Sequence, residues 1–463
     1  MKFAYGELRK ERGPKAKWSG IFVGRVGNNS FTIYINCSII YDGRIVTMNK
    51  ILVVNDGLRI AYAYNPNVRS VCWGVFVGVG SMDESEKNSG ISHLIEHMCF
   101  KGTKTRSAYD IVRESENLGA NINAFTSKEQ TAFYVQCVDD SVEKCVEILA
   151  DIVQNMTFDQ EELEKEKQVV IEEIAMSEDA PDDLAGDLAA EAFWGENSLS
   201  RPILGTKENV EGFTQEDLFA HVRRYYTKEN IVLSVVGNVE EREVVRLAET
   251  YFHFAAGAVE KTDAVYPRKA VQRFRKKDVE QCNVVLVYDG LKRYDEDTYA
   301  LNVFDAVLGG GMSSILFQKV REELGLAYSV YSYPASYRTM GAYCIYIGTT
   351  PAKADIALRT IARIVEDLKA KGIDREQMER GRTQTLSNYV FGMENGMSVM
   401  RVQARRLMYK GEAFDVDEEI NKIKEVDLDK INTLIKRVFA AAPAVGVVAP
   451  EYVDWKGVFD GNQ

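Results

Sequence analysis

The hydrophobic positions of the chain follow two different periods, and each period predicts its own kind of element. The nearly continuous apolar stretches VCWGVFVGVG (71–80) and NIVLSVVGNV (230–239) predict buried β-strands. The stretch DQEELEKEKQVVIEEIAMSE (159–178) instead has apolar residues at helical spacing and a composition that favours helix formation. The pattern therefore predicts strands that alternate with amphipathic helices.

Three segments of the first half have counterparts in the second half, in the same order. Each counterpart lies about 208 to 215 residues further along the chain. The pairs are VRESENLG (112–119) with VREELGLA (320–327), FDQEELEKEK (158–167) with IDREQMERGR (373–382), and, more faintly, HVRRYYTKENIVLSVVGNV (221–239) with LIKRVFAAAPAVGVVAP (434–450).

This repetition predicts two structurally related halves. Small, polar and Pro residues break the periodicity at 255–269, which is where we expect the join. We therefore predict two α+β domains, at 48–258 and 270–463, each a sheet with helices packed on one face.

The composition indicates a large globular protein. The chain has 463 residues, 46% of them hydrophobic, which is enough for the cores of two or more domains. A net charge of -12 argues against a nucleic-acid partner, because phosphate binding needs clustered Lys and Arg. No apolar run approaches the roughly 20 residues that span a bilayer, so we expect no membrane segment.

The cysteines and the N-terminal segment favour a cytoplasmic protein. Seven cysteines are scattered along the chain without a CxxC pair, which argues against a disulfide framework. The first residues, MKFAYGELRKERGPKAKWSG, are basic but lack the apolar region of a secretory signal.

The chain holds only four histidines, and two of them lie in SHLIEHMCFKG (92–102). On a helix His93, Glu96 and His97 project from one face, with Asn88 or Ser89 as the N-terminal cap. Two imidazoles one turn apart can bind one Zn²⁺, and the carboxylate beside them can act on a metal-bound water. The alternative is a polar surface stripe, and the HxxEH spacing favours the metal site.

A catalytic zinc site needs a third protein ligand. Glu166 and Glu173 lie seven residues apart, two turns along one face of the predicted 159–178 helix. At an offset of 215 the second half has Gly381 and Asn388 in their places, and it has no HxxEH. We infer that these carboxylates belong to the chemistry of the first half. The neighbouring glutamates are interpreted as a solvated face: Glu161, Glu162, Glu164 and Glu172.

These residues together resemble the M16 metallopeptidases, the family of insulinase and the mitochondrial processing peptidase. In that family the third ligand is a glutamate about 76 residues after the second histidine, and here that position is Glu173. The resemblance implies that His93, His97 and Glu173 bind zinc, that Glu96 is the general base and that Glu166 supports the site. Glu172 is the competing candidate for the third ligand.

Two further stretches resemble the substrate-binding elements of the family. GANINAFTSKEQTAFYV (119–135) is similar to its edge strand, which implies substrate contacts at Asn123 and Ala124; alone, the stretch predicts only a hairpin. GGGMSSILFQKVREELGLAYSVYSY (309–333) is similar to a second-half signature, which implies that Arg321 and Tyr328 approach the substrate. The alternative places Arg321 on a helix surface and Tyr328 in a strand core.

The resemblance runs from about Met48 to the C-terminus and implies mainly antiparallel sheets. It also implies a zinc endopeptidase that hydrolyses peptides or unfolded segments inside the chamber of a homodimer. The alternatives are a non-catalytic subunit and one half of a hetero-oligomeric processing peptidase. The intact HxxEH set argues against the first, and the presence of both Arg321 and Tyr328 argues against the second.

Residues 1–47 precede the region of resemblance, and we expect them to be an extension that the activity does not need. Within them, GNNSFTIYINCSIIYDGRIV (27–46) predicts a hairpin with no place in the two-half plan. Met48 would then be a natural first residue.

Overall fold

The computed structural model describes residues 17–26, 29–38, 48–261 and 265–459. The described strands are β1 (Lys17–Val26), β2 (Asn29–Ser38), β3 (Met48–Val54), β4 (Leu58–Tyr64), β5 (Ser70–Val77), β6 (Asn121–Thr126), β7 (Thr131–Val138), β8 (Ile231–Gly237), β9 (Gln272–Lys276), β10 (Cys282–Asp289), β11 (Ser329–Ser336), β12 (Gly341–Thr349) and β13 (Ala444–Ala449).

The described α-helices are α1 (Ile91–Met98), α2 (Ala108–Asn117), α3 (Val142–Gln154), α4 (Gln160–Asp179), α5 (Pro181–Trp194), α6 (Lys207–Gly212), α7 (Gln215–Tyr225), α8 (Glu241–Tyr251), α9 (Thr298–Leu308), α10 (Pro351–Lys371), α11 (Arg375–Met393), α12 (Gly396–Lys410), α13 (Val416–Lys424) and α14 (Leu428–Val438). Within the described residues, no helix combines the length and the apolar character that crossing a membrane requires.

The two halves form two sheets that share a five-strand topology. The first sheet has the order β1-β2-β3-β4-β8-β5-β7-β6, and the second has the order β11-β12-β10-β13-β9. Strands β6-β7-β5-β8-β4 of the first sheet match β11-β12-β10-β13-β9 of the second, one for one. Both sheets are mixed, because β4–β8 and β13–β9 are parallel while the other pairs are antiparallel. The prediction of two structurally related α+β domains is confirmed.

Each half contributes one helix that packs on the sheet of the other half. Helix α5 packs with Val285 and Cys344 of the second sheet, and α12 packs with Phe76 and Val232 of the first. The helices of each half pack on one face of its own sheet, as expected, and the exchanged helix covers the second face. The reason lies in the central strands, since β8 and β13 are buried at every residue and need apolar cover on both faces.

A hairpin precedes β3, but not over 27–46 as expected. Strands β1 and β2 pair antiparallel from Lys17↔Ser38 to Val26↔Asn29. Strand β2 then pairs with β3, so the hairpin extends the edge of the first sheet. The other residues of the expected segment, 27–28 and 39–46, lie outside the described residues.

Candidate metal centre and active site

Helix α1 presents the HxxEH residues, and a buried carboxylate fixes where it begins. Its cap is Gly90, with a left-handed φ of 99°, and not Asn88 or Ser89 as expected. A residue with a side chain rarely adopts this φ, and a Cβ here would lie 2.6 Å from the Leu204 carbonyl oxygen. Glu84 accepts the N–H groups of Gly90 (2.7 Å) and Ser92 (2.9 Å). A negative charge there stabilises the helix, and burial raises the pKa of Glu84.

His93, His97 and Glu173 converge on one point. One potential ligand atom from each lies within 4.8 Å of the other two. Glu173 Oε2 is 3.7 Å from His93 Nε2 and 3.5 Å from His97 Nε2. The donor set fits zinc, because Glu173 Oε2 is buried without a hydrogen-bond partner among the described residues and faces two imidazole nitrogens. Burial, with His97 nearby, lowers the pKa of His93 to about 4, which keeps the ring neutral for metal binding.

The two competing glutamates of α4 have different surroundings. Glu173 lies in the group with the histidines, whereas Glu172 is exposed to solvent. Glu166 lies two turns nearer the N-terminus of α4. It is buried, and its Oε2 lies 3.1 Å from His97 Nδ1. Its other oxygen is 2.5 Å from Lys101 Nζ, a contact that the sequence did not reveal.

Glu96 lies beside the histidines and is held by a threonine. The Thr126 hydroxyl donates to Glu96 Oε2 at 2.6 Å. Burial raises the pKa of Glu96, and the Thr126 hydrogen bond opposes part of this shift. Neither Thr126 nor Glu84 was expected from the sequence. The only sequence signal for Thr126 is that it closes the strand of Asn123 and Ala124.

A cavity of about 560 Å³ opens beside His93 and Glu96. Its walls come from both halves: an acidic wall on α5 faces tyrosines of the second sheet. The acidic residues are Asp182, Asp183 and Asp187, and the tyrosines are Tyr331, Tyr333 and Tyr346.

Asn123 and Ala124 lie in β6, the edge strand of the first sheet. The Asn123 side chain is exposed, and its Oδ1 accepts the Ala124 N–H at 2.7 Å. The Ala124 side chain is buried in the core of the first domain. This pair can therefore offer main-chain groups and the Asn123 amide to a ligand.

Arg321 and Tyr328 contact each other in the second half. The Arg321 guanidinium lies over the rings of Phe317 (4.7 Å) and Tyr328 (5.1 Å). Tyr328 is 72% exposed, so the alternative of a buried strand residue does not hold. Neither Arg321 nor Tyr328 is among the described residues that line the cavity.

Comparisons with known proteins agree with this architecture. The model described as insulinase (peptidase family M16) matches residues 59–207, and that of the M16 inactive domain matches residues 212–385. The zinc protease YmxG of Bacillus subtilis is 39% identical over 404 residues, 87% of this chain and 98% of the relative. A zinc protease of Streptomyces coelicolor is 33% identical, covering 85% of this chain and 88% of the relative.

Solved structures share the fold. A protease from Helicobacter pylori has a TM-score of 0.79 at 21% identity, covering 88% of this chain and 100% of that one. An M16 inactive-domain structure from Pseudomonas fluorescens also has a TM-score of 0.79, at 17% identity, covering 88% of this chain and 99% of that one.

Proposed function

Because the chain belongs to the M16 family of peptidases, whose similar members are named zinc proteases, we propose that it is a zinc-dependent endopeptidase. The observation that carries the proposal is the convergence of His93, His97 and Glu173 beside Glu96 at the edge of a cavity. Three protein ligands with a neighbouring carboxylate are the arrangement of a catalytic zinc site.

His93, His97 and Glu173 would hold the metal. When bound there, zinc supplies a Lewis acid that polarises a carbonyl oxygen and makes water more acidic. Glu96 is the general base: its carboxylate accepts the proton of the attacking water and passes it to the leaving amine. The Thr126 hydroxyl holds Oε2 of Glu96, so the orientation of the carboxylate is set before the substrate arrives.

The substrate in this proposal is a peptide or an unfolded segment in extended form. Strand β6 is the edge of its sheet, and an extended peptide can add there through main-chain hydrogen bonds. The Ala124 N–H is bonded to the Asn123 side chain, so Asn123 must turn away before a substrate carbonyl takes its place.

The proposal includes a homodimer. Arg321 and the exposed Tyr328 form a preassembled pair outside the cavity lining of their own chain. In a symmetric dimer the pair of one chain would reach the metal centre of the other, where it could stabilise the developing oxyanion.

The test is the hydrolysis of a mixed peptide library, followed by mass spectrometry. We expect internal cleavage, loss of cleavage on chelation, and its return when one equivalent of Zn²⁺ is added. Cleavage that persists in the metal-free protein would contradict the mechanism. A zinc-loaded protein without any cleavage would instead favour a non-catalytic subunit.

A further inference from the structure

The carboxylate of Glu166 bridges the proposed zinc ligand His97 and the ammonium group of Lys101. Oε2 is 3.1 Å from His97 Nδ1, and Oε1 is 2.5 Å from Lys101 Nζ. The Glu166 side chain is 6% exposed, whereas that of Lys101 is 31% exposed. A buried carboxylate needs a paired charge, and Lys101 provides it from the solvent side.

This bridge determines which nitrogen of His97 faces the ligand group. With Nδ1 donating to Glu166, Nε2 is left as the acceptor, and it points to Glu173 Oε2 at 3.5 Å. Metal-binding histidines are ordinarily oriented in this way by a carboxylate on the other ring nitrogen. His93 has no such support, since its Nδ1 is buried without a hydrogen-bond partner among the described residues.

Lys101 also connects the two helices that carry the ligands. It lies just beyond α1, where its N–H donates to the Met98 carbonyl at 3.1 Å. Glu166 and Glu173 both belong to α4. The ion pair therefore ties the end of the histidine helix to the glutamate helix. A cation beyond the last turn is also favourable for the α1 dipole.

We propose that Lys101 is a positioning residue of the metal centre, a role that rests on the zinc site of the proposed function. By holding Oε1 of Glu166 it directs Oε2 at His97, and this fixes the His97 ring with Nε2 towards Glu173, where the ring would hold the metal. In this role Lys101 acts through Glu166 and His97 and is not itself a ligand.

The test is the zinc affinity of the full-length chain, measured by competition with a chromophoric chelator. Lys101→Met should bind zinc roughly 10–100-fold more weakly, the usual effect of losing an outer support of a ligand. Lys101→Arg keeps the charge and should recover most of the affinity. In the Co²⁺-substituted protein, Lys101→Met should also alter the visible absorption spectrum, because that spectrum depends on ligand geometry.

Lys167→Met is the matched control. Lys167 is a buried lysine of α4 that pairs with Glu164 at 2.9 Å and donates to the Glu211 carbonyl at 3.2 Å. Its removal breaks the ion pair between this buried lysine and the exposed Glu164 of the same helix, and removes no contact of Glu166. We expect its zinc affinity and cobalt spectrum to match those of the wild type, whatever happens to its melting temperature.

Two results would overturn the proposal: wild-type zinc affinity in Lys101→Met, or an equal loss in Lys167→Met. If Lys101→Met does not fold, Lys101→Gln removes the charge with a polar side chain and should show the same loss. These outcomes are separate from the proposed function. A wild-type chain that binds zinc tightly but cleaves no peptide contradicts the peptidase and leaves the role of Lys101 intact.

Discussion

At the scale of single residues, the Glu96 carboxylate is the group on which the proposed chemistry depends. Glu96→Gln preserves the size of the side chain and can still accept a hydrogen bond from the Thr126 hydroxyl. An amide, however, cannot take the proton from water. We expect peptide hydrolysis to fall roughly 10²–10⁴-fold, while metal analysis still finds one zinc per chain. Full activity in this variant would refute the role of Glu96.

The adjacent glutamates of α4 provide a matched pair of variants. Glu173→Gln should weaken zinc binding in the chelator competition, because its Oε2 faces both histidines. Glu172→Gln should leave zinc binding unchanged, because Glu172 points to solvent. The reverse order of effects would mean that Glu172 is the third ligand.

At the scale of elements, the exchange of α5 depends on a glycine in β13. A Cβ at Gly446 would lie 2.4 Å from both the Ala185 carbonyl oxygen and the Ala189 nitrogen of α5. Gly446→Ala should therefore push the helix from the sheet and lower the free energy of unfolding by about 1–3 kcal/mol. Urea denaturation measures this change.

The control lies on the same helix. A Cβ at Gly186 meets nothing within 4 Å, so Gly186→Ala should raise the free energy of unfolding by about 0.5–1 kcal/mol through helix propensity. If the two variants have the same free energy of unfolding, the close packing of α5 on β13 does not limit stability.

At the scale of the whole molecule, a buried ion pair joins the halves next to the proposed metal centre. Arg338 of the second half lies 2.8 Å from Asp83, with side chains 10% and 4% exposed. Its N–H also donates to Glu129 at 2.6 Å. Asp83 precedes Glu84, which caps α1, and Glu129 follows the strand of Thr126. The second half is thus anchored on the two turns that hold α1 and Glu96.

Removing the buried Arg338–Asp83 pair should lower the free energy of unfolding more than removing an exposed pair between the same halves. Arg338→Met leaves a buried Asp83 without this partner and should destabilise the chain by about 3–5 kcal/mol. Arg273 pairs with Glu191 across the halves at 40% and 38% exposure, so Arg273→Met should cost less than about 1 kcal/mol. Denaturant titration compares them, and similar losses would refute the distinction.

The proposed dimer predicts complementation between two inactive chains. Glu96→Gln lacks the base and Tyr328→Phe lacks the hydroxyl offered to the partner, so each homodimer should be nearly inactive. Mixing them under subunit exchange should restore part of the activity, because each heterodimer holds one site with both groups intact. If exchange is demonstrated and the mixture stays inactive, Tyr328 does not act across chains.

The sequence by itself determined the features that depend on neighbouring residues. Hydrophobic period predicted β5, β8 and α4, and their observed bounds, Ser70–Val77, Ile231–Gly237 and Gln160–Asp179, differ from the predicted ones by a few residues. The repeat predicted two domains of one design. The HxxEH spacing alone put three functional groups on one face of a helix, because helical geometry fixes side chains three and four residues apart.

Only the tertiary structure decided what meets across large separations in sequence. Four such features leave no periodic signal in the sequence. They are the exchange of α5 and α12, the cap of α1 by Glu84, the hydrogen bond from Thr126 to Glu96, and the Lys101–Glu166 pair. The contact between the Arg321 guanidinium and the Tyr328 ring was equally hidden. These contacts follow from how whole helices and sheets pack, and a buried polar group is placed by the partners that packing brings to it.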